Sequence, residues 1–496
     1  MTTQPSFRLP SKEWKHPLAS RYTSEEMQKV FSDFKQFTTW RMLWYTILKH
    51  MKGMGLIKIP EGQLEKMYGL IPLINIDLAA EYERKNRHDV MAHVHAFQDI
   101  CREHGLEELA RFIHLALTSC DITDNAKLIT MREALDLVLL RLARVMYKMT
   151  FLAEEHADLI CAGFTHLQMA QPTTLGKRIA MWLEDLNHAY LDIRRVRNEL
   201  PFRGIKDATG TQQSLMQLCR GDESLVLLLE QQVANDFDFN GKILSITGQT
   251  YSRQYDADFV LALAKLGSSA SKMFFDVRIL AMLDQIHEPF GVDQIGSSAQ
   301  AFKQNPMRSE RGNALDRMLI GLSNCALQTH ASQGLERTLD DSAAGRITLS
   351  EAGLYADATC LVAHNVFDGL RVFPARIETH LNKFLPFLAT VSIINEMVES
   401  HGADRQVIHD LLRVHSVASV ESFRKSGAES YDMLGRMMDE PMLAPVHDKI
   451  QNFLDPKTMI GRAPNQARLF AAEVRENLKE TYADRELSPP ARDLKV

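Results

Sequence analysis

The sequence predicts an all-α protein built around a bundle of long helices. Three observations carry that reading: long gaps between prolines, apolar residues recurring at three- and four-residue steps, and few alternating strand patterns. No proline lies between Pro72 and Pro172, between Pro201 and Pro289, or between Pro306 and Pro374. Proline removes an amide donor and clashes with the preceding turn, so gaps of this length can hold whole helices. Within the first gap, Leu128 to Val145 alternates apolar residues and charges with a helical period, and Arg178 to Val196 and Asp256 to Leu283 read the same way. Helices of this kind bury their apolar stripes against one another.

Taken in order, the punctuation marks three zones. A helical zone covers 1–118, a zone of very long helices covers 119–371, and a C-terminal zone covers 372–496. The last begins near Val372-Phe373-Pro374 and is broken by Pro386, Pro441, Pro445, Pro456 and Pro464. Its end, Arg485 to Val496 with Pro489-Pro490, reads as a mobile tail.

Composition narrows the class. The 496 residues carry 57 Lys and Arg against 63 Asp and Glu, a net charge of −6, interspersed along the chain. That balance argues against a nucleic-acid polymer as partner, although a few convergent cations would suffice for a small anion. Apolar runs such as Phe259 to Ala264 are far shorter than the ~20 residues of a spanning helix. Met1 to Phe7 has neither a basic segment nor an apolar core, so no secretory leader is expected. The 6 cysteines are scattered singly, which suits a reducing cytosol better than a disulfide framework.

Four segments interrupt the amphipathic pattern. Arg87 to His95 holds His88, His93 and His95, whose spacings of five and two do not align ligands on one helical face. His88 and His95 share a face, but two histidines without carboxylates favour a structural or polar-contact role over a metal. His114 to Asp121 is a polar patch before a long helix; it reads equally as an N-cap and as a grip for a carboxylate. Gly163 to Thr174 sets His166 among hydroxyls and amides at an expected helix start. Gln294 to Arg311 carries Gly296-Ser297-Ser298, Lys303 and Asn305-Pro306 between two helical segments, which reads either as an anion-handling lid or as a plain surface loop.

Gly296-Ser297-Ser298-x-x-x-Lys303-x-Asn305-Pro306 resembles the mobile-loop motif of the fumarase/aspartase superfamily. Arg87 to His93, Thr165-His166, Thr247 to Tyr251, Glu336 to Ala343, Asn305 to Arg311 and Gly461 to Pro464 resemble the eukaryotic type of the adenylosuccinate lyase family. The resemblance runs from Leu18 to about residue 470. It implies three helical domains, the central one contributing to a 20-helix core in a homotetramer whose active sites are shared between three subunits. The implied reaction is β-elimination of fumarate from adenylosuccinate, giving AMP, and from succinyl-aminoimidazole-carboxamide ribotide, giving AICAR, in the cytoplasm, without metal or organic cofactor.

By this resemblance Ser297 is the general base and His166 the general acid, with Glu310 as partner of the imidazole. Lys303 and Asn305 stabilise the doubly charged aci-carboxylate, and His88 orients substrate. Thr118, Ser119, Thr165 and Gln249 bind the succinyl portion or orient the base. Arg21, Tyr22, Arg337, Ser342 and Arg346 bind phosphate, for which guanidinium forks and hydroxyls are suited; Asp89 and Arg311 complete the substrate-binding set. Serine is a poor base at its ordinary pKa, so Lys303 and loop amides must favour the alkoxide. The chain departs from the family pattern at Gln300 and Ala301, where Met-Pro is usual, at Met169, where proline is usual, and at Gly345, where arginine often precedes Arg346.

Overall fold

The computed structural model describes residues 13–488. The leader reading at residues 1–7 lies outside them, as does most of the tail expected from Arg485. Helix accounts for 68% of the chain and strand for 4%, so the all-α expectation holds.

The elements that position the site are few. Helix α1 spans Asp33–Gly53 and α2 spans Asp89–Glu103. Helix α3, Ser119–Glu155, is the longest; its interior contains neither proline nor glycine. A hairpin of β1 (Ile160–Thr165) and β2 (Gln168–Thr174) leads into α4 (Leu175–Glu199). Helix α5 is Gln254–Met282, strand β3 is Ile286–His287, and α6 is Met307–Ala331. Helix α7 is Asp340–Asp368, and strand β4 is Arg371–Val372. Helices α8 (Thr390–His401) and α9 (Arg405–Ser426) begin a smaller cluster, and α10 is Ala463–Lys479.

Helices α3 to α7 pack around a large apolar core that includes Leu135, Met146, Trp182, Phe259, Phe274, Leu319 and Phe367. Burying side chains of this size contributes about 1.5–3 kcal/mol each before the entropy of ordering is counted. Gly312 allows α5 and α6 to close: a Cβ there would stand 2.3 Å from the Phe274 ring. The C-terminal residues divide between two cores. Ile393, Ile408, Leu412, Met433 and Ile450 form a separate cluster, whereas Ala467, Ala471, Val474 and Leu478 of α10 join the main one. The start of the expected mobile tail is docked: Asp484–Leu487 forms a helical turn, Leu487 is buried, and the Glu486 carbonyl accepts from Arg144 Nε at 2.7 Å.

The Gly163 to Thr174 segment is a hairpin and not the helix start expected for it. Ile160 pairs with Thr174 and Thr165 with Gln168, leaving His166 and Leu167 as the two-residue loop with φ of 52° and 55°. Such tight loops favour Asn-Gly, so a His-Leu loop carries no turn signal. Two non-glycine residues at positive φ store strain at the tip. The helix starts after it, where Thr174 Oγ1 accepts from the Lys177 amide at 3.2 Å.

Candidate active site

A cleft of about 780 Å³ opens where the N-terminal ends of α2, α3 and α7 meet. His88, Asp89, Ser119, Arg337, Ser342 and Arg346 line it, together with Gly345. His88 is the N-cap of α2: its Nδ1 accepts from the Met91 amide at 3.3 Å. A neutral ring so fixed carries its proton on Nε2, which lies 3.3 Å from Ser119 Oγ. His93 is buried and stacked on Phe37 at 3.8 Å, and His95 faces Tyr82 at 5.1 Å. The three rings therefore serve different surroundings.

Thr118 is the N-cap of α3, with its amide donating to Asp121 Oδ2 at 2.7 Å, so the N-cap reading of that patch is correct. Ser119, one residue on, still faces the cleft. Across it, Asp89 Oδ2 accepts from Arg346 Nη2 at 2.8 Å, and Arg337 Nη1 donates to Gln249 Oε1 at 3.0 Å. Arg337 Nη1 also reaches Cys120 Sγ at 3.2 Å. Burial pushes the Cys120 thiol up to about 11, so the group beside that guanidinium is a neutral thiol.

Beneath the cleft lies a charged network that sequence reasoning missed. Arg253, 2% exposed, meets Asp124 Oδ1 with Nη2 at 3.1 Å and Asp124 Oδ2 with Nη1 at 3.2 Å. Its Nε donates to Asp341 Oδ2 at 2.7 Å. Burial by itself would raise the Asp124 pKa, but the Arg253 and Lys127 charges outweigh it and hold the carboxyl below its ordinary value. A second buried pair joins Arg203 to Asp121, and Arg203 Nη2 donates to the Gln249 carbonyl at 2.6 Å. These pairs fix the starts of α3 and α7 and the turn that carries Gln249. The only local hint was Asp121 and Asp124 one helical turn apart at the head of a long helix.

The Gly296 to Pro306 loop is a separate structure. Ser297 Oγ accepts from the amides of Ala299 at 3.3 Å and Gln300 at 3.1 Å, and donates to Gln300 Oε1 at 3.3 Å. Those amides are the kind of donor that favours an alkoxide. Asn305 Nδ2 donates to the Gly296 carbonyl at 2.8 Å, closing the loop at its base. A Cβ on Gly296 would stand 1.9 Å from the Lys303 carbonyl oxygen, so only glycine allows the two limbs to approach. Lys303 and Glu310 are exposed, and Arg311 is half-buried in the first turns of α6. Glu288, buried and overlooked in the sequence, accepts the amides of Arg308 at 2.8 Å and Ser309 at 3.0 Å, anchoring the start of α6.

The chain thus brings His88, Asp89, Ser119, Gln249, Arg337, Ser342 and Arg346 together. Apart from Thr118, which precedes Ser119 as the N-cap of α3, it does not bring the rest to them. Thr165 and His166 are exposed at the hairpin tip, and Ser297, Lys303, Asn305, Glu310 and Arg311 belong to the loop and α6. Arg21 is exposed and Tyr22 half-buried on the short turn Leu18–Tyr22, and neither lines the cleft.

Long helices around a main core, a cleft at three helix ends and a Gly-Ser-Ser loop fit the superfamily whose motifs the sequence resembles. A lyase family model matches residues 83–321. The fold is similar to that of fumarate lyase from Mesorhizobium sp. BNC1, with a TM-score of 0.77 and 20% identity over 91% of this chain and 98% of that one. It is equally similar to the 3-carboxy-cis,cis-muconate lactonizing enzyme from Pseudomonas putida, with a TM-score of 0.77 and 19% identity over 93% and 98%. Sequence similarity is closer to adenylosuccinate lyases. The chain is 40% identical to that of Saccharomyces cerevisiae over 94% of this chain and 95% of that protein, and 38% identical to that of Schistosoma mansoni over 92% and 94%. The chain belongs to the adenylosuccinate lyase family, a family of carbon–nitrogen lyases.

Proposed function

We propose that the protein eliminates fumarate from adenylosuccinate, leaving AMP, and from succinyl-aminoimidazole-carboxamide ribotide, leaving AICAR. The observation that carries this reading is the convergence of Ser119, Gln249, Arg337, Ser342 and Arg346 on one cleft in a chain so similar to adenylosuccinate lyases. Hydroxyls, an amide and guanidiniums suit a ligand with carboxylates at one end and a phosphate at the other.

In this reading Ser297, as the alkoxide, removes the proton from the succinyl carbon next to a carboxylate. The electron pair left behind is held as an aci-carboxylate by Lys303, Asn305 and loop amides. It then forms the C=C bond of fumarate as the C–N bond breaks and that pair moves to the amino nitrogen. His166, oriented by Glu310, delivers the proton to this nitrogen. His88 and Asp89 orient substrate, with Thr118, Thr165 and Arg311 around the succinyl group and Arg21 and Tyr22 at the phosphate. Side chains and loop amides supply every group in this scheme, so it calls on no cofactor.

The hairpin tip, the loop with the start of α6 and the Leu18–Tyr22 turn do not line the cleft of their own chain, which supports a site completed by other copies in a homotetramer. Met181, Phe275, Met282 and Met318 are exposed on α4, α5 and α6, as helices that pack against further copies would leave them. Among the described residues no helix is long and apolar enough to cross a membrane. All 6 cysteines are free thiols, which fits work in a reducing cytoplasm. An absorbance assay with both succinyl nucleotides tests the reading. Cleavage of argininosuccinate with adenylosuccinate left intact would overturn it.

A further inference from the structure

Lys127 lies on α3 and lines the cleft, yet no sequence motif singled it out. Its side chain is 24% exposed, and its nearest carboxylate, Asp256 Oδ2, is 3.9 Å away, beyond hydrogen-bond reach. The other Asp256 oxygen accepts the Tyr251 hydroxyl. Three guanidiniums of the cleft are engaged: Arg253 with Asp124 and Asp341, Arg337 with Gln249, Arg346 with Asp89. Lys127 Nζ faces Gly345 on α7: a Cβ there would stand 3.4 Å from Nζ, with nothing else within 4 Å. A long side chain at that position would crowd the ammonium, and a cationic one would repel it. Glycine leaves the approach open, immediately beside Arg346 and one helical turn from Ser342.

We propose that Lys127 is a substrate-binding residue that presents its ammonium, through the space left by Gly345, to the phosphate of the succinyl nucleotide. This rests on the reading of the cleft as the nucleotide site. A partly buried ammonium that only neighbours carboxylates and hydrogen-bonds none of them gains from a phosphate dianion, and a charge-assisted contact of this kind is worth about tenfold or more in affinity. The role is binding, so it bears on KM and leaves the chemical step alone.

The experiment compares wild type, Lys127→Gln and Lys127→Arg with adenylosuccinate and with its dephosphorylated nucleoside, and measures AMP and adenosine binding by calorimetry. The expected result is a KM for the nucleotide raised about tenfold or more in Lys127→Gln, with kcat within about twofold, and partial recovery in Lys127→Arg. KM for the nucleoside and affinity for adenosine stay unchanged, whereas AMP affinity falls with the nucleotide KM. An equal loss for nucleotide and nucleoside, or no loss in either, overturns the assignment. Wild type inactive on adenylosuccinate would instead remove the functional reading. AMP binding would then decide for Lys127 by itself: independence from the ammonium would overturn the assignment, and dependence would uphold it.

Discussion

Arg253 and Asp341 tie the beginning of α7 to the beginning of α3. Arg253 Nη2 lies 2.5 Å from Asp341 Oδ2 while the same guanidinium meets both oxygens of Asp124, and all three side chains are at most 3% exposed. Asp341 is one residue before Ser342 and four after Arg337, so this contact sets where two cleft residues stand.

Removing the guanidinium strands two carboxylates in the protein interior. Arg253→Met is expected to lower unfolding free energy by about 3–5 kcal/mol, the range for breaking a buried pair from one side. Asp341→Asn keeps a hydrogen-bond acceptor for Arg253 and should cost less. Urea denaturation followed by circular dichroism measures both, and equal stability of Arg253→Met and wild type would refute a structural role for the network.

Gly296 is the position in the loop that tolerates least. With the Lys303 carbonyl where a Cβ would go, Gly296→Ala must splay the base that Asn305 closes. Displacing a reacting group by about 1 Å can cost on the order of 100-fold in rate. We expect kcat to fall by about that factor while the melting temperature stays within about 2 °C, because the loop is largely exposed and carries little of the core. A variant with unchanged kcat would show that loop geometry does not control Ser297.

How much of this was legible beforehand depended on whether the information was local. Helix α3 was readable because its apolar repeat lies in one stretch without helix breakers, and the loop was readable as an interruption of that pattern. The hairpin was hidden by its His166-Leu167 turn, whose residues carry no signal for positive φ. The pairing of Arg253 with Asp124 spans 129 residues, and that of Arg337 with Gln249 spans 88, so neither leaves a mark in sequence spacing. Lys127 looked like an ordinary polar position on an amphipathic helix; its meaning comes from Gly345, which arrives from another helix.

Complementation tests the proposed division of the site between copies. On the proposed scheme Ser297→Ala and His166→Ala proteins should each lose turnover by several orders of magnitude, since each would lack a proton carrier in every site. Mixing the two after mild dissociation should restore part of the activity, because some reassembled sites would draw an intact Ser297 and an intact His166 from different chains. Mixtures as inactive as their parents would mean that one chain supplies both groups.

The aromatic setting of His93 makes stability depend on pH in a defined direction. Burial, with Arg41 adding to it, pushes this imidazole down to about 4, against roughly 6.5 in an unfolded chain. Above pH ~6.5 the ring is neutral in both states and contributes no pH dependence. As pH falls from ~6.5 towards about 4 the unfolded chain takes up the proton first, so stability declines across that window and levels off below it. His114 is also pushed down to about 4 by burial and adds a second proton to the same window; its Nδ1 accepts from Trp44 Nε1 at 3.1 Å. His93→Phe keeps a ring between Phe37, 3.8 Å away, and Trp40, 5.4 Å away, without the titrating group. Urea midpoints at pH 7.5, 6, 5 and 4.5 should therefore fall less steeply for the variant, by up to about 3 kcal/mol over the full window. Parallel curves for the two proteins would mean that His93 is protonated alike in the folded and unfolded states, which its burial between Phe37 and Trp40 opposes.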